Sequence, residues 1–122
     1  MRKIATEKAM LADQKECAKC IQAVSDALEV LEGKWKLPIL VSLKFSKKRF
    51  KQISKEIDGI TDKMLSKELK ELEVNQLITR TVYDTFPPAV EYSITDHGLS
   101  LETVILSLEN WGALHRKKII RE

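Results

Sequence analysis

The order of breaks and amphipathic stretches between residues 33 and 112 constrains this chain more than any other feature. Gly33-Lys34-Trp35 opens an apolar helix, and Arg49-Phe50 opens a shorter one after it. Asp58-Gly59 turns the chain into the amphipathic stretch Thr61–Val74. Two strand-like runs follow with Pro87-Pro88 between them, and Thr95-Asp96-His97-Gly98 then starts a last helix.

The spacing within each stretch fills in this outline. Cys17, Ile21, Val24, Leu28 and Leu31 recur at steps of four and three, the seam of a helix that Gly33 ends. Residues 1–19 are read as a polar N-terminal arm or helix extension, and residues 20–122 as the folded domain. A second helix runs from about Trp35 to Phe45, with Pro38 in its first turn where a missing N–H costs little. Ile39, Leu40, Val41 and Leu43 make it the central core helix. Ser46-Lys47-Lys48 is a short basic loop. The third helix, Phe50–Ile57, carries Phe50, Ile53 and Ile57 on one face and Lys51, Gln52 and Lys55 away from it.

The fourth helix bears most on function. Thr61 caps it. At 100° per residue, Leu65, Leu69 and Leu72 share one stripe. Lys63, Lys67 and Lys70 fall on the opposite one, bordered by Thr61 and Ser66. Glu68, Glu71 and Glu73 are placed on the flanks. An ordinary surface helix interleaves Glu and Lys on its outer face; here the outer stripe is read as purely basic. That suits a helix lying in the major groove, with lysines reaching phosphates or guanine edges. A solvated helix face is the competing reading.

Leu77–Tyr83 is rich in Ile, Thr, Val and Tyr and reads as a strand; Val90, Tyr92 and Ile94 alternate as its return. Thr95 is expected to cap one long last helix, with Leu101, Val104, Ile105, Leu108 and Trp111 as its apolar stripe. The expected fold class is therefore mainly α with a small β-hairpin wing, a winged helix-turn-helix. Its first and last helices carry more apolar surface than so small a core absorbs. They are expected to form a dimer interface through Ile21, Val24, Leu28, Leu101, Val104, Ile105, Leu108 and Trp111.

Charge is distributed to match. The net charge is +3. Residues 34–70 hold eleven Lys/Arg against four acids, a local balance of +7. Positive charge is thus concentrated on the helix-turn-helix, as a phosphate backbone requires. At 122 residues the chain has room for one domain with a real core. No run approaches 18 apolar residues, so no membrane span is expected. The start, Met1-Arg2-Lys3 followed by Thr6, Glu7, Lys8 and Asp13, is too polar for a signal-peptide core, and the expected location is the cytosol.

Few residues offer chemistry. Cys17 and Cys20 form a CxxC. Three readings stay open: a redox or electrophile sensor, whose reactivity Lys15 and Lys19 would raise; a metal site, for which two ligands fall short of the four of structural zinc; and plain packing of Cys17 in the helix seam. Inside a regular helix the two Cβ atoms are about 5–6 Å apart, wider than the roughly 3.5–4.5 Å of a disulfide. An intrachain bond therefore needs the helix to start near Cys20; a bond between subunits is the other route. His97 and His115 are too scattered to cluster. There is no Gly-rich phosphate loop, HExxH or GxSxG. Trp35 and Trp111 are read as packing residues. No catalytic residue, metal site or cofactor is expected, and the chain is not expected to be an enzyme.

These motifs resemble the HxlR family of bacterial transcriptional regulators, a winged helix-turn-helix group close to the MarR type. The resemblance covers about residues 20–114. It rests on Gly33-Lys34-Trp35, Arg49-Phe50, Gly59-Ile60-Thr61 running into Met64-Leu65, and Leu69-Lys70-Glu71-Leu72-Glu73. It continues through Leu77-Ile78-Thr79-Arg80, Pro87-Pro88, Val90-Glu91-Tyr92-Ser93, Thr95-x-x-Gly98 and Trp111-Gly112. It implies a homodimer on a pseudo-palindromic operator. One helix of each copy would enter the major groove about one DNA turn, roughly 34 Å, from the other, with the wing along the neighbouring minor groove. It also implies a response to oxidants, electrophiles or small metabolites. The family commonly carries Arg or Lys just after the proline pair, where this chain has Ala89. Arg80 or Thr85 would then carry the wing's share. The family's N-terminal cysteine is usually followed by Pro; here Ile21 follows Cys20, and Cys17 is added.

The expected partners are double-stranded DNA, a second copy of the chain, and a small-molecule or oxidant inducer. The DNA-binding candidates are Arg49, Lys51, Gln52, Thr61, Lys63, Ser66, Lys67, Lys70, Arg80 and Thr85, and the sensor candidates are Cys17 and Cys20. The alternative is a winged-helix protein-interaction module without specific DNA binding, since fold alone does not fix function. A redox protein built on the CxxC would need a thioredoxin-like βαβ context that the sequence lacks.

Overall fold

A computed structural model describes residues 7–120. Residues 1–6 of the expected polar arm, and residues 121–122, lie outside the described residues. The chain divides into two compact units, one up to Glu32 and one from Gly33 on.

The first unit is a single helix, α1 (Glu7–Val30), which passes without a break through both cysteines. Ile21, Val24 and Leu28 are exposed on it.

The second unit holds the remaining elements: α2 (Lys36–Phe45), α3 (Phe50–Glu56), α4 (Asp62–Val74), β1 (Ile78–Tyr83), β2 (Ala89–Ile94), α5 (Asp96–Leu99) and α6 (Glu102–Ile120). α2 is central, as its composition implies. Ile39, Leu40 and Leu43 are fully buried, together with Ile53 of α3, Leu65, Leu69 and Leu72 of α4, and Leu77 and Ile78 where β1 begins. Each such side chain contributes about 1.5–3 kcal/mol over its exposed state. Pro38 is the third residue of α2, where no helical N–H has an intrahelical partner.

β1 and β2 pair antiparallel, with Ile78 opposite Ile94, Arg80 opposite Tyr92 and Val82 opposite Val90. The basic loop expected at Ser46-Lys47-Lys48 has more structure than its sequence suggests. The Lys48 N–H donates to the Tyr92 carbonyl at 3.0 Å, and the Tyr92 N–H donates back to Lys48 at 2.8 Å. Lys48 therefore adds a one-residue rung to the wing and ties it to the end of α2.

The single long last helix expected from Thr95 is instead two helices. Thr95 caps only the short α5: its Oγ1 accepts from the Gly98 N–H at 2.9 Å. The same hydroxyl lies 2.7 Å from the Gln76 carbonyl and 3.0 Å from the Leu77 carbonyl, to which it donates. A Cβ on Gly98 would sit 2.3 Å from the Leu77 carbonyl oxygen and 2.6 Å from Ile94 Cγ1. Glycine is what allows α5 to lie against the base of the wing, and α6 begins after two turn residues, Ser100 and Leu101. Of its expected stripe, Ile105 is in the core and Leu101 is half-buried, while Val104, Leu108 and Trp111 remain exposed.

Candidate nucleic-acid interface

α3, its turn and α4 form the helix-turn-helix. Gly59 makes the turn at φ +86°, a conformation that favours glycine. Thr61 Oγ1 accepts from the Met64 N–H at 3.1 Å, capping α4. Ser54 Oγ reaches Asp62 Oδ1 at 3.3 Å, linking α3 to the first turn of α4. At the start of α3, Gln52 Oε1 accepts from the Arg49 N–H at 2.8 Å. Two polar candidates, Thr61 and Gln52, therefore hold backbone at helix starts. Arg49, Lys51, Lys63, Ser66, Lys67 and Lys70 are all exposed.

Of the α4 glutamates expected on the flanks, Glu73 is exposed and Glu71 half-buried, but Glu68 departs from that position. Glu68 is buried, and Lys36 from the first turn of α2 reaches it at 2.6 Å. Lys36 also meets Glu71 at 2.7 Å. Desolvation pulls the Lys36 pKa down, but hydrogen bonds and attraction from the two glutamates outweigh it and leave it raised. The bond from Lys36 holds the Glu71 carboxyl below the usual range, aided by the charge of Lys67. The outer stripe is also less uniform than its sequence implies, since Lys67 lies 3.6 Å from Glu71.

Lys48 is likewise turned inward. Its Nζ donates to Glu56 Oε1 at 2.7 Å and to the Ser42 carbonyl at 2.7 Å, while Ser42 Oγ donates to Glu56 at 2.8 Å. Hydrogen bonds from Lys48, then Ser42, lower the Glu56 pKa. Two of the eleven cations between residues 34 and 70 thus serve the fold. Lys36 is the residue that sequence reasoning missed most clearly; its partners are 32 and 35 positions away, beyond any local pattern.

On the wing, Arg80 is exposed on β1. Thr85 Oγ1 donates to the Pro87 carbonyl at 2.8 Å, so this candidate stiffens its own loop. Phe86, not singled out from the sequence, is fully exposed at the tip. A groove of about 790 Å³ opens between α2, the end of α3 and α6, lined in part by Pro38, Val41, Phe45, Ile57 and Leu108. Among the described residues, no group of three or more His, Cys, Asp or Glu could hold a metal ion, and no helix is long and apolar enough to cross a membrane.

A capped helix with a buried leucine face and an exposed lysine face, followed by a two-stranded hairpin, defines a winged helix-turn-helix DNA-binding protein. Residues 30–119 match the HxlR-like helix-turn-helix family, and the chain belongs to it. It is 42% identical over 97 residues to the HTH-type transcriptional regulator YtcD of Bacillus subtilis, covering 80% of this chain and 77% of that one. The reduced form of the redox regulator HypR superposes with a TM-score of 0.76 at 36% identity, covering 82% of this chain and 99% of that one. The reduced regulator YodB from B. subtilis does so at 0.65 and 36%, covering 71% and 85%. The chain is a helix-turn-helix transcriptional regulator, as these relatives are.

Proposed function

We propose that the protein regulates transcription as a homodimer on a pseudo-palindromic operator, with α4 in the major groove and the wing near the adjacent minor groove. The observation that carries this reading is the polarity of α4. Leu65, Leu69 and Leu72 are at most 2% exposed, while Lys63, Lys67 and Lys70 face solvent. Arg49, Lys51 and Ser66 extend that surface, and Arg80 is the exposed cation of β1. Thr61, Gln52 and Thr85 act by holding backbone that presents these groups.

The second copy covers the apolar positions that the unit leaves open on α6, Val104, Leu108 and Trp111, and those of α1, Ile21, Val24 and Leu28. DNA binding responds to thiol chemistry at Cys17 and Cys20, or to a small ligand. The exposed thiols support the first, as does likeness to proteins described as redox regulators. The site of action is the cytosol, and no catalysis is involved.

Fluorescence anisotropy against the DNA upstream of the protein's own gene, beside a scrambled duplex, tests the reading. Both titrations are run reduced and after mild oxidant. Tight binding to the upstream DNA alone is expected, with loss on oxidation if the cysteines are the switch. Specific binding indifferent to oxidant moves the inducer to a small ligand. No binding even at low salt overturns the DNA reading in favour of a protein-interaction module.

A further inference from the structure

The cysteine pair is a chemically distinctive feature to which the regulator reading assigns no defined ligand. Both thiols are free and exposed. Both lie well inside α1, which runs from Glu7 to Val30. Three residues apart, they occupy neighbouring positions on one helix face. Their Cβ atoms are then about 5–6 Å apart, beyond the roughly 3.5–4.5 Å that a disulfide spans. Closing Cys17 onto Cys20 requires unwinding the helix.

A wider bridge fits without unwinding. A metal–thiolate bond is about 2.3 Å, so two in line hold the sulfurs about 4.6 Å apart. That is slightly less than the Cβ separation, and each thiol need only lean toward the other. Soft thiolates select soft cations such as Cu(I). Among the described residues no third or fourth ligand converges on the pair, which disfavours the four-coordinate geometry of structural zinc.

We propose that Cys17 and Cys20 form a two-coordinate site for a soft monovalent cation of the Cu(I) class, bound as a linear bis-thiolate. Each thiol gives its proton to solvent and forms one sulfur–metal bond. No electron changes hands, and the bound unit carries one net negative charge. Cys17 lies in register with Ile21, Val24 and Leu28, so this charge falls at the end of the α1 apolar seam. Any effect on dimerisation or DNA release rests on the regulator reading; the binding itself does not.

The test is an anaerobic titration of the reduced full chain with Cu(I), in competition with a chromophoric Cu(I) chelator and without DNA. Thiolate-to-metal absorption, native mass and helical circular dichroism are followed together. One ion per chain is expected, with unchanged helicity and with binding lost in both Cys17→Ser and Cys20→Ser. Both substitutions are at exposed helix positions, and circular dichroism confirms that the variants fold. Undiminished binding by either variant, or one ion shared by two chains, overturns the site. So does a ready intrachain disulfide under mild oxidant, seen as a mass lower by two hydrogens. Because no DNA is present, failure here leaves the regulator reading untouched, and failure of operator binding leaves this result standing.

Discussion

Lys36 Nζ lies 2.6 Å from Glu68 Oε1 with both side chains almost wholly buried, so the first turn of α2 and the middle of α4 are joined by a charge pair hidden from solvent. The pair adds a fixed point to the buried face of Leu65, Leu69 and Leu72 that sets how α4 rolls on the core, and with it the direction of the lysine stripe. Removing one partner of a buried pair strands the other, at a cost of about 3–5 kcal/mol. Lys36→Met should lower the urea midpoint by a corresponding amount. Adding Glu68→Leu should recover most of the loss, since an apolar pair of similar volume replaces the buried charges. A single variant as stable as the parent would deny the pair this role.

The charge pairs also set the pH response. Glu56 and Glu71 have lowered pKa values in the folded chain. Their stabilisation is therefore present above the ordinary carboxylate value of about 4.3 and is lost as pH falls through the lowered folded values. Lys36 is raised, so its contribution is present below about 10.4 and is lost as pH rises through the folded value. Stability should fall away on both sides of a central plateau. Glu56→Gln should make the acid limb shallower, leaving the share of Glu71, and leave the alkaline limb unchanged, as thermal midpoints measured across pH will show.

How much of this was legible in the sequence follows from what decides each element. α2 and α4 are legible to within a residue or so, because their apolar periodicity is strong and Thr61 marks a start. The hairpin followed from alternating β-branched residues around Pro87-Pro88. The break between α5 and α6 is not legible, since the apolar period runs on through Leu101, whereas α5 is held at the base of the wing by the bonds of Thr95 and the close approach of Gly98 to Leu77. The inward turn of Lys36, Lys48 and Glu68 is not legible for a related reason. Periodicity assigns charged residues to solvent, and only tertiary partners reveal those turned inward.

The glycines of the C-terminal region give opposite expectations. Gly98→Ala places a methyl 2.3 Å from a backbone carbonyl. It should destabilise by about 1–3 kcal/mol or more, because backbone cannot yield as a flexible side chain can. Gly112 lies within α6 and an added Cβ meets nothing within 4 Å. Gly112→Ala should therefore raise stability by about 0.5–1 kcal/mol. If a second copy packs closely against that turn, the gain should vanish at concentrations where the dimer forms. Thermal melts at low and high protein concentration distinguish the cases.

On the DNA face, Lys63→Ala and Lys70→Ala should each weaken binding to any duplex and lower the slope of log K against log salt by about one unit, if each meets a phosphate. Lys67 is partly neutralised by Glu71 at 3.6 Å, so Lys67→Ala should change the slope less. Equal slopes for the parent and all three variants would place the duplex elsewhere on the surface.

The wing offers a different kind of contact. Between Asp84 and Ala89 there is no cation, and the charge of Asp84 would repel a phosphate. Phe86 stands fully exposed at the tip of this loop, which Thr85 stiffens through the Pro87 carbonyl. Apolar side chains of this kind lodge against minor-groove walls and base steps. Covering part of the ring recovers on the order of 1 kcal/mol, roughly fivefold in affinity. Phe86→Ala should therefore weaken operator binding about fivefold with no change in salt slope, because no charge is lost. Its thermal midpoint should stay at the parent value, since the ring packs on nothing in the folded chain. Arg80→Ala should instead lower the slope by about one unit. Parent-like affinity and slope in both variants would mean that the wing stays clear of DNA and that the helix-turn-helix binds alone.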